Sequence, residues 1–391
     1  MPANVWTLFF AQAFAMCSAP LMVFAAALAS RDIAPSPIWT TLPVSLLVLG
    51  TACSVYPASR LAKRWGRKKI FMVAMATGAI GALSAMIALN KGSFVGFSVS
   101  ALVLGAVIAV GQQFRFAAME SVEAPKMPMA ASRLLTAGLI SAWLGPELVP
   151  FGQWLINDTF SGAFLLLAGL FVVALLIIAI GYKNIEARPE DSSDVYSSSS
   201  RLLKNPGFWV AASSAAVGYG IMSFIMTATP VSMHEMDNFS LMDTKWVIQS
   251  HIMFMFIPSL FAGFLIQRLG HIRMIFSGLV ILAGCVLLGI TDNSFMHYWW
   301  ALVLLGVAWN FLFVAGTSLL PTVHEPEDKY RAQGLNDSMV FGFQALGALT
   351  SGIVLQWLGW DGLLVITIPV IICMTGFVFW WQKAQLRKDA A

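Results

Sequence analysis

Ser59-Arg-Leu-Ala-Lys-Arg-Trp-Gly-Arg-Lys-Lys69 sets six cations into eleven residues between two apolar runs. A sparser version of it returns as Gly263-Phe-Leu-Ile-Gln-Arg-Leu-Gly-His-Ile-Arg273, and the Arg-x-Gly that both share recurs at an offset of 204 residues. A second echo joins Leu104-Gly105 and Ser121-Val-Glu-Ala-Pro125 to Leu305-Gly306 and Thr322-Val-His-Glu-Pro326, at an offset of 201. Two echoes at nearly one offset predict a chain built from two tandem repeats.

The runs around these loops need lipid as their solvent. Of 391 residues, 58% are apolar and 11% charged, and the mean hydropathy is +0.78. A soluble domain carries about 25% charged residues, so the few charges here cannot cover a water-facing surface. Disorder, coiled coil and nucleic-acid binding are excluded as overall descriptions. A helix needs roughly 20 mostly apolar residues to cross the hydrocarbon. Twelve such spans are expected, at about 5–29, 38–59, 70–89, 94–118, 130–152, 161–182, 206–228, 244–266, 273–290, 298–321, 332–354 and 361–382.

Nineteen of the 23 Lys and Arg residues fall in loops on one side, three (Arg31, Lys91, Lys245) on the other, and Arg115 lies inside a span. The positive-inside rule then places both termini in the cytoplasm of a multi-pass protein of the cell (inner or plasma) membrane. Met1 to Ser30 holds no charged side chain, so the first span reads as a retained helix rather than a signal peptide. The polar, Ser-rich stretch 183–205 reads as a cytoplasmic linker between a bundle at 1–182 and a bundle with a short tail at 206–391. Cys17, Cys53, Cys285 and Cys373 sit in separate spans without metal-ligand spacing and read as buried packing.

At these motifs the chain resembles the major facilitator superfamily of secondary transporters, over essentially its whole length. The superfamily's loop pattern between spans 2 and 3 is Gly-x-x-x-Asp-Arg-x-Gly-Arg-Arg/Lys-Lys. Arg64-Trp-Gly66-Arg67-Lys68-Lys69 matches its second half, while Ser59 and Lys63 stand at the glycine and aspartate positions. Gly145-Pro146 in span 5 partly matches the superfamily's antiporter signature, without the glycines that should follow. The resemblance implies an all-α integral membrane fold, twelve transmembrane helices in two six-helix bundles rocking about a midplane cavity. Spans 1, 4, 7 and 10 would line that cavity, with spans 2 and 11, and 5 and 8, meeting across the interface.

Ionisable groups inside spans are costly and mark function by default. Arg115, about 8 residues from the centre of span 4 on its cytoplasmic side, pairs with Glu120 or lipid phosphates, or else binds an anionic group of the solute or a coupling carboxylate, helped by Gln112. Glu147 in span 5 and His251 in span 8 lie at matching depths below the outer surface; where spans 5 and 8 adjoin, they form a proton-coupling outer gate. Under the same resemblance Lys63 faces Asp337, placed in the first turns of span 11. With Arg64, Gly66 and Arg67 they make up the inner gate, a sign-reversed latch. The remaining cavity candidates are Gln12 and Met16 of span 1, Tyr219, Met222, Ser223 and Met226 on one face of span 7, Trp309, Asn310 and Phe313 of span 10 and Gln344 of span 11, Asn310 being the best placed for having no local partner. This mixture of aromatic, amide and cation suits an organic solute with a planar or anionic part.

The expected function is secondary active transport of a small organic solute, coupled to protons, by a monomer. Alternatives are an efflux antiporter or a solute sensor derived from a transporter. An enzyme is not expected: the five His residues are scattered and no phosphate loop of the Gly-x4-Gly-Lys-Ser/Thr kind occurs. No cofactor or metal is expected, and no nucleic-acid partner.

Overall fold

The computed structural model describes residues 2–123, 127–156, 160–184, 201–325 and 328–389, and every regular element among them is a helix. The chain divides into two compact units, Met1–Ala187 and Arg188–Ala391.

In the first unit, α1 (Ala3–Ala15) and α2 (Ser18–Ala29) make span 1, α3 (Leu42–Trp65) span 2 and α4 (Arg67–Asn90) span 3. Span 4 is α5 (Phe94–Gly111) with α6 (Phe114–Glu120), span 5 is α7 (Met127–Leu155) and span 6 is α8 (Ser161–Gly181). In the second unit a single turn, α9 (Arg201–Lys204), leads into span 7, α10 (Pro206–Val231). Span 8 is α11 (Leu241–Phe256) and α12 (Ser259–Leu269), bent by 45° at Pro258. Spans 9 and 10 are α13 (His271–Gly289) and α14 (Phe295–Leu319). Span 11 occupies α15 (Lys329–Val365) as far as Gly359, whose φ of 69° breaks it, and span 12 runs on into α16 (Ile368–Asp389). Each expected span thus has its helix.

Local chemistry sets the helix starts. Ser93, Asn205 and Ser240 each accept a hydrogen bond from a backbone N–H of the first turn, Gly96, Gly207 and Asp243 respectively. Pro206 stands where its missing N–H costs nothing. Within spans, lipid supplies no hydrophobic drive between helices, so close backbone approach over small residues and interhelical hydrogen bonds hold the bundles.

Both sequence echoes have a structural cause. Gly66 ends α3 and opens α4 at φ 83°, ψ 148°, and Gly270 does the same between α12 and α13 at φ 80°, ψ 160°. L side chains rarely adopt that conformation. The other echo is a close approach. A Cβ on Gly105 would lie 2.0 Å from the Leu47 carbonyl oxygen, and one on Gly306 would lie 2.6 Å from that of His251. Leu47 and His251 are themselves 204 residues apart, so spans 2 and 4 of the first unit meet as spans 8 and 10 of the second do.

Cys17 and Cys285 are buried as expected, whereas Cys53 and Cys373 are exposed. Their helices turn that face away from the bundle, a placement that hydropathy does not reveal.

Candidate functional site

Two neighbouring interruptions shape the first unit. In span 1 the helical bonding tightens at Met16 and Cys17, where the Cys17 N–H reaches the Phe14 carbonyl. In span 4 it tightens at Gln112 and Gln113, where the Gln113 N–H reaches Val110. Met16 lies against Gly111, whose added Cβ would come within 1.9 Å of the methionine methyl, so the two interruptions sit side by side. The reason for Gly145 is found here too: a Cβ would approach the Cys17 carbonyl oxygen at 2.9 Å, and glycine lets α7 pack on the interrupted part of span 1. Although α7 contains Pro146 and Pro150, it is one helix.

Gln12 donates its Nε2 to the Leu134 carbonyl at 3.1 Å and keeps Oε1 buried without a hydrogen-bond partner. Gln112 and Arg115 are exposed, and the Arg115 guanidinium lies 5.2 Å from the centre of the Phe116 ring. Glu120 is held by Arg67 in a two-bond fork, Nε to Oε2 at 2.7 Å and Nη2 to Oε1 at 2.5 Å. Arg67 thereby ties the start of α4 to the end of α6 within one unit. Beside it the Asn184 side chain accepts from the Lys68 N–H at 2.9 Å, capping α4 from a distant part of the sequence. The side chain of Lys63 lies outside the described residues. Glu147 is half-buried on α7.

The second unit holds an aromatic cluster. Trp309 and Phe313, one turn apart on α14, stack at 5.2 Å with 8° between ring planes. Tyr219 of α10 meets both edge-on, at 5.1 Å and 5.3 Å. Phe256, the last residue of α11, lies 6.4 Å from Trp309, and Phe341 of α15 lies 6.5 Å from Tyr219. Tyr219, Phe313, Phe256 and Phe341 are half-buried, whereas the indole N–H of Trp309 is buried without a hydrogen-bond partner. Gln344 follows Phe341 one turn later, half-buried, and Met222 is buried one turn from Tyr219. Such a cluster can offer ring faces to a flat solute, with an indole donor at its back.

Phe256 and Phe341, unlike Phe313, carry no mark of their own in sequence that sets them apart from the remaining phenylalanines. Pro258, which bends span 8 just beyond Phe256, is the signal that marked the first. For Phe341 the signal was its position one turn before Gln344.

Two expectations in this unit, for Asn310 and for Asp337, are revised. Asn310 is fully buried and does have local partners: its Nδ2 lies 2.8 Å from the Met255 carbonyl and 2.6 Å from Ser259 Oγ. These acceptors flank the bend at Pro258, so the amide braces span 8. Its nitrogen is committed there. His251 is also fully buried, and its Nδ1 donates to the Leu302 carbonyl of α14 at 2.7 Å. A carbonyl can only accept, which leaves Nε2 as the bare nitrogen, buried without a hydrogen-bond partner. Asp337 lies more than two turns into α15, which begins at Lys329, and so lies beyond the reach of the helix dipole. Its exposed carboxylate accepts from Asn336 Nδ2 at 3.1 Å.

Residues 8–246 and 233–390 match the family profile described as Major Facilitator Superfamily. The riboflavin transporter RfnT of Brucella anthropi is 30% identical over 374 residues, covering 94% of this chain and 93% of its own. The uncharacterized MFS-type transporter YddS of Bacillus subtilis is 28% identical over 403 residues, 97% of this chain and 91% of its own. Among solved structures, a bacterial homolog of the human lysosomal transporter Spinster, inward-facing and unoccupied, superposes with a TM-score of 0.79 at 12% identity, over 99% of this chain and 98% of that one. The nucleoside transporter NupG superposes at 0.70 with 14% identity, over 97% and 99%. These relatives are transporters, not enzymes. This chain is a multi-pass, all-α membrane transporter of small-molecule solutes, and it belongs to the major facilitator superfamily.

Proposed function

We propose that the chain is a secondary active transporter of a planar heteroaromatic solute of the riboflavin type. It works as a monomer in the cell membrane, by alternating access of the bundles 1–182 and 206–391 about the cytoplasmic linker 183–205, with both termini in the cytoplasm. The observation that carries this reading is the ring cluster of Tyr219, Trp309 and Phe313, widened by Phe256 and Phe341. Flat rings bind by stacking and edge contacts on such a surface. The 30% identity to a riboflavin transporter supports the same class. Gln12, Gln112 and Arg115, around the interruptions of the first unit, supply the polar and cationic groups for the solute's non-aromatic part. Interrupted helices are where transporters of this architecture place such contacts.

Counterflow in proteoliposomes tests it: unlabelled riboflavin inside should draw in labelled riboflavin. Riboflavin bound but never exchanged would mean a sensor, and failure to bind riboflavin or any other flat heteroaromatic would overturn the substrate class.

Proton coupling is assigned to Glu147 and His251. A carboxylate half-buried at span depth and an imidazole with one bare nitrogen are groups that lipid tolerates only for a reason. In the Glu147→Gln, His251→Gln double variant, accumulation driven by a pH gradient should collapse while counterflow persists. Unchanged pH-driven accumulation would end the assignment.

An inner latch between Lys63 and Asp337 is a further part of the reading, resting on the exposed carboxylate of Asp337 and the reversed charge in the loop motif. Lys63→Asp and Asp337→Lys should each slow transport, and the swap that combines them should recover it. A swap no better than either single change counts against the latch.

A further inference from the structure

Near the amino-terminal end of the first unit an apolar groove of about 710 Å³ opens between α1 and α8, walled by Trp6, Phe10 and Phe14 on one side and Val173, Leu176 and Ile180 on the other. Trp6 and Phe10 stack at 6.4 Å along its wall, and Leu176 and Ile180 are 53% and 83% exposed. Along α1 the lining runs from Ala3 to Phe14, about 16 Å at 1.5 Å per residue. A hydrocarbon core roughly 30 Å thick gives each leaflet half of that depth. The groove therefore has the length of one leaflet's acyl chains.

Its polar end is basic. The Arg133 guanidinium, from α7, lies 5.0 Å from the centre of the Trp6 ring. Lys183 stands two residues beyond Gly181 of the lining, and its backbone N–H and carbonyl are both bound by the Asn4 side chain, at 3.0 Å and 2.9 Å. No carboxylate occurs in α1, α2 or α8 to oppose these cations, and Glu120 near that end is taken by Arg67. Trp6 supplies the amphipathic ring that suits headgroup depth.

We propose that this groove holds one anionic phospholipid from the leaflet that carries the amino terminus. An acyl chain lies between α1 and α8, and the phosphate rests on Arg133 and Lys183. The charge selects the lipid: a cation near the membrane surface is worth about 1 kcal/mol toward an anionic headgroup, and a guanidinium matches phosphate oxygens in a two-bond fork. The length and apolar lining select a lipid over a free anion.

The test is lipid retention. Protein extracted in mild detergent from membranes of phosphatidylglycerol and phosphatidylethanolamine is analysed by mass spectrometry for the lipid it keeps. Phosphatidylglycerol should be enriched over its share of the membrane. Two lost cations at about 1 kcal/mol each should cut that enrichment on the order of tenfold or more in the Arg133→Gln, Lys183→Gln double variant. Leu176→Trp, which fills the groove from an exposed position, should lower the total lipid retained while the cations stay in place. The proposal is overturned if the double variant keeps the enrichment, if Leu176→Trp retains as much lipid as the unaltered protein, or if inorganic phosphate alone raises the melting temperature as far as phosphatidylglycerol does.

Discussion

Alanine at position 105 should leave almost no folded protein. The added methyl carbon would sit 2.0 Å from the Leu47 carbonyl oxygen, 2.9 Å from its carbon and 3.0 Å from the Thr51 nitrogen, all of them backbone atoms of α3. A side chain in the way could rotate aside; a helix backbone cannot. Relief requires α5 to move away from α3, and that motion breaks the 3.0 Å hydrogen bond from Thr51 Oγ1 to the Gly105 carbonyl and opens a packed seam. Overpacking of a core costs about 1–3 kcal/mol when side chains can adjust, and more when they cannot. About 4 kcal/mol is nearly a thousandfold in the folded ratio and a large share of a typical 5–15 kcal/mol total. The measurement is the yield and melting temperature of the monodisperse peak in detergent. Gly169→Ala is the control, because nothing lies within 4 Å of its added Cβ. Gly306→Ala, facing the His251 carbonyl oxygen at 2.6 Å, should fall between the two. A Gly105→Ala protein with the yield and melting temperature of Gly169→Ala would show that the α3–α5 seam is not a determinant of this fold.

That seam also shows what could be read from sequence. Hydropathy located every span because crossing lipid demands a long apolar run whatever the details of packing. The Arg-x-Gly echo was legible because one backbone conformation, used at Gly66 and again at Gly270, excludes other residues. Interruptions at Met16 and Gln112 left no such trace, since a shift of one residue in hydrogen bonding changes neither composition nor length. The partners of Asn310 were hidden for another reason. Its acceptors, the Met255 carbonyl and Ser259 Oγ, belong to the two helices of span 8, about 50 residues earlier, on either side of the bend at Pro258. Tyr219 and Trp309 stand out in sequence by residue type and by their place on spans 7 and 10; their meeting with Phe256 and Phe341 depends on how four helices pack. Charges were the reverse case. Arg67 was legible as part of a loop motif, but the motif does not say that Glu120, 53 residues on, is the carboxylate it holds.

Replacing Tyr219 by alanine should raise the KM for the transported solute by about tenfold or more while changing the maximal rate little. Tyr219 touches three other rings of the cluster, Trp309, Phe313 and Phe341. It is half-buried, so it can both orient those rings and present its own to a ligand. Each aromatic pair is worth about 0.5–1.5 kcal/mol beyond its buried area, and losing one contact to solute together with the alignment of the others reaches about 1.5–3 kcal/mol, or roughly 10- to 150-fold in affinity. The effect belongs in KM because, under the proposal, the cluster's part is to bind the solute and no bond changes. Tyr219→Phe, which keeps the ring and loses only the hydroxyl, should retain most of the affinity. A merely structural role would look different: Tyr219→Ala would lower the melting temperature of the empty protein, and the stabilisation brought by saturating riboflavin would match that of the unaltered chain. If the cluster is the solute's platform, the stabilisation by a fixed riboflavin concentration shrinks instead, because ligand stabilisation follows the ratio of concentration to Kd. Phe379→Ala, on an exposed face of α16, supplies the comparison for removing a ring elsewhere. Equal KM values for the Tyr219→Ala and Phe379→Ala proteins would remove the aromatic cluster from the binding site, and with it the main ground for a planar solute.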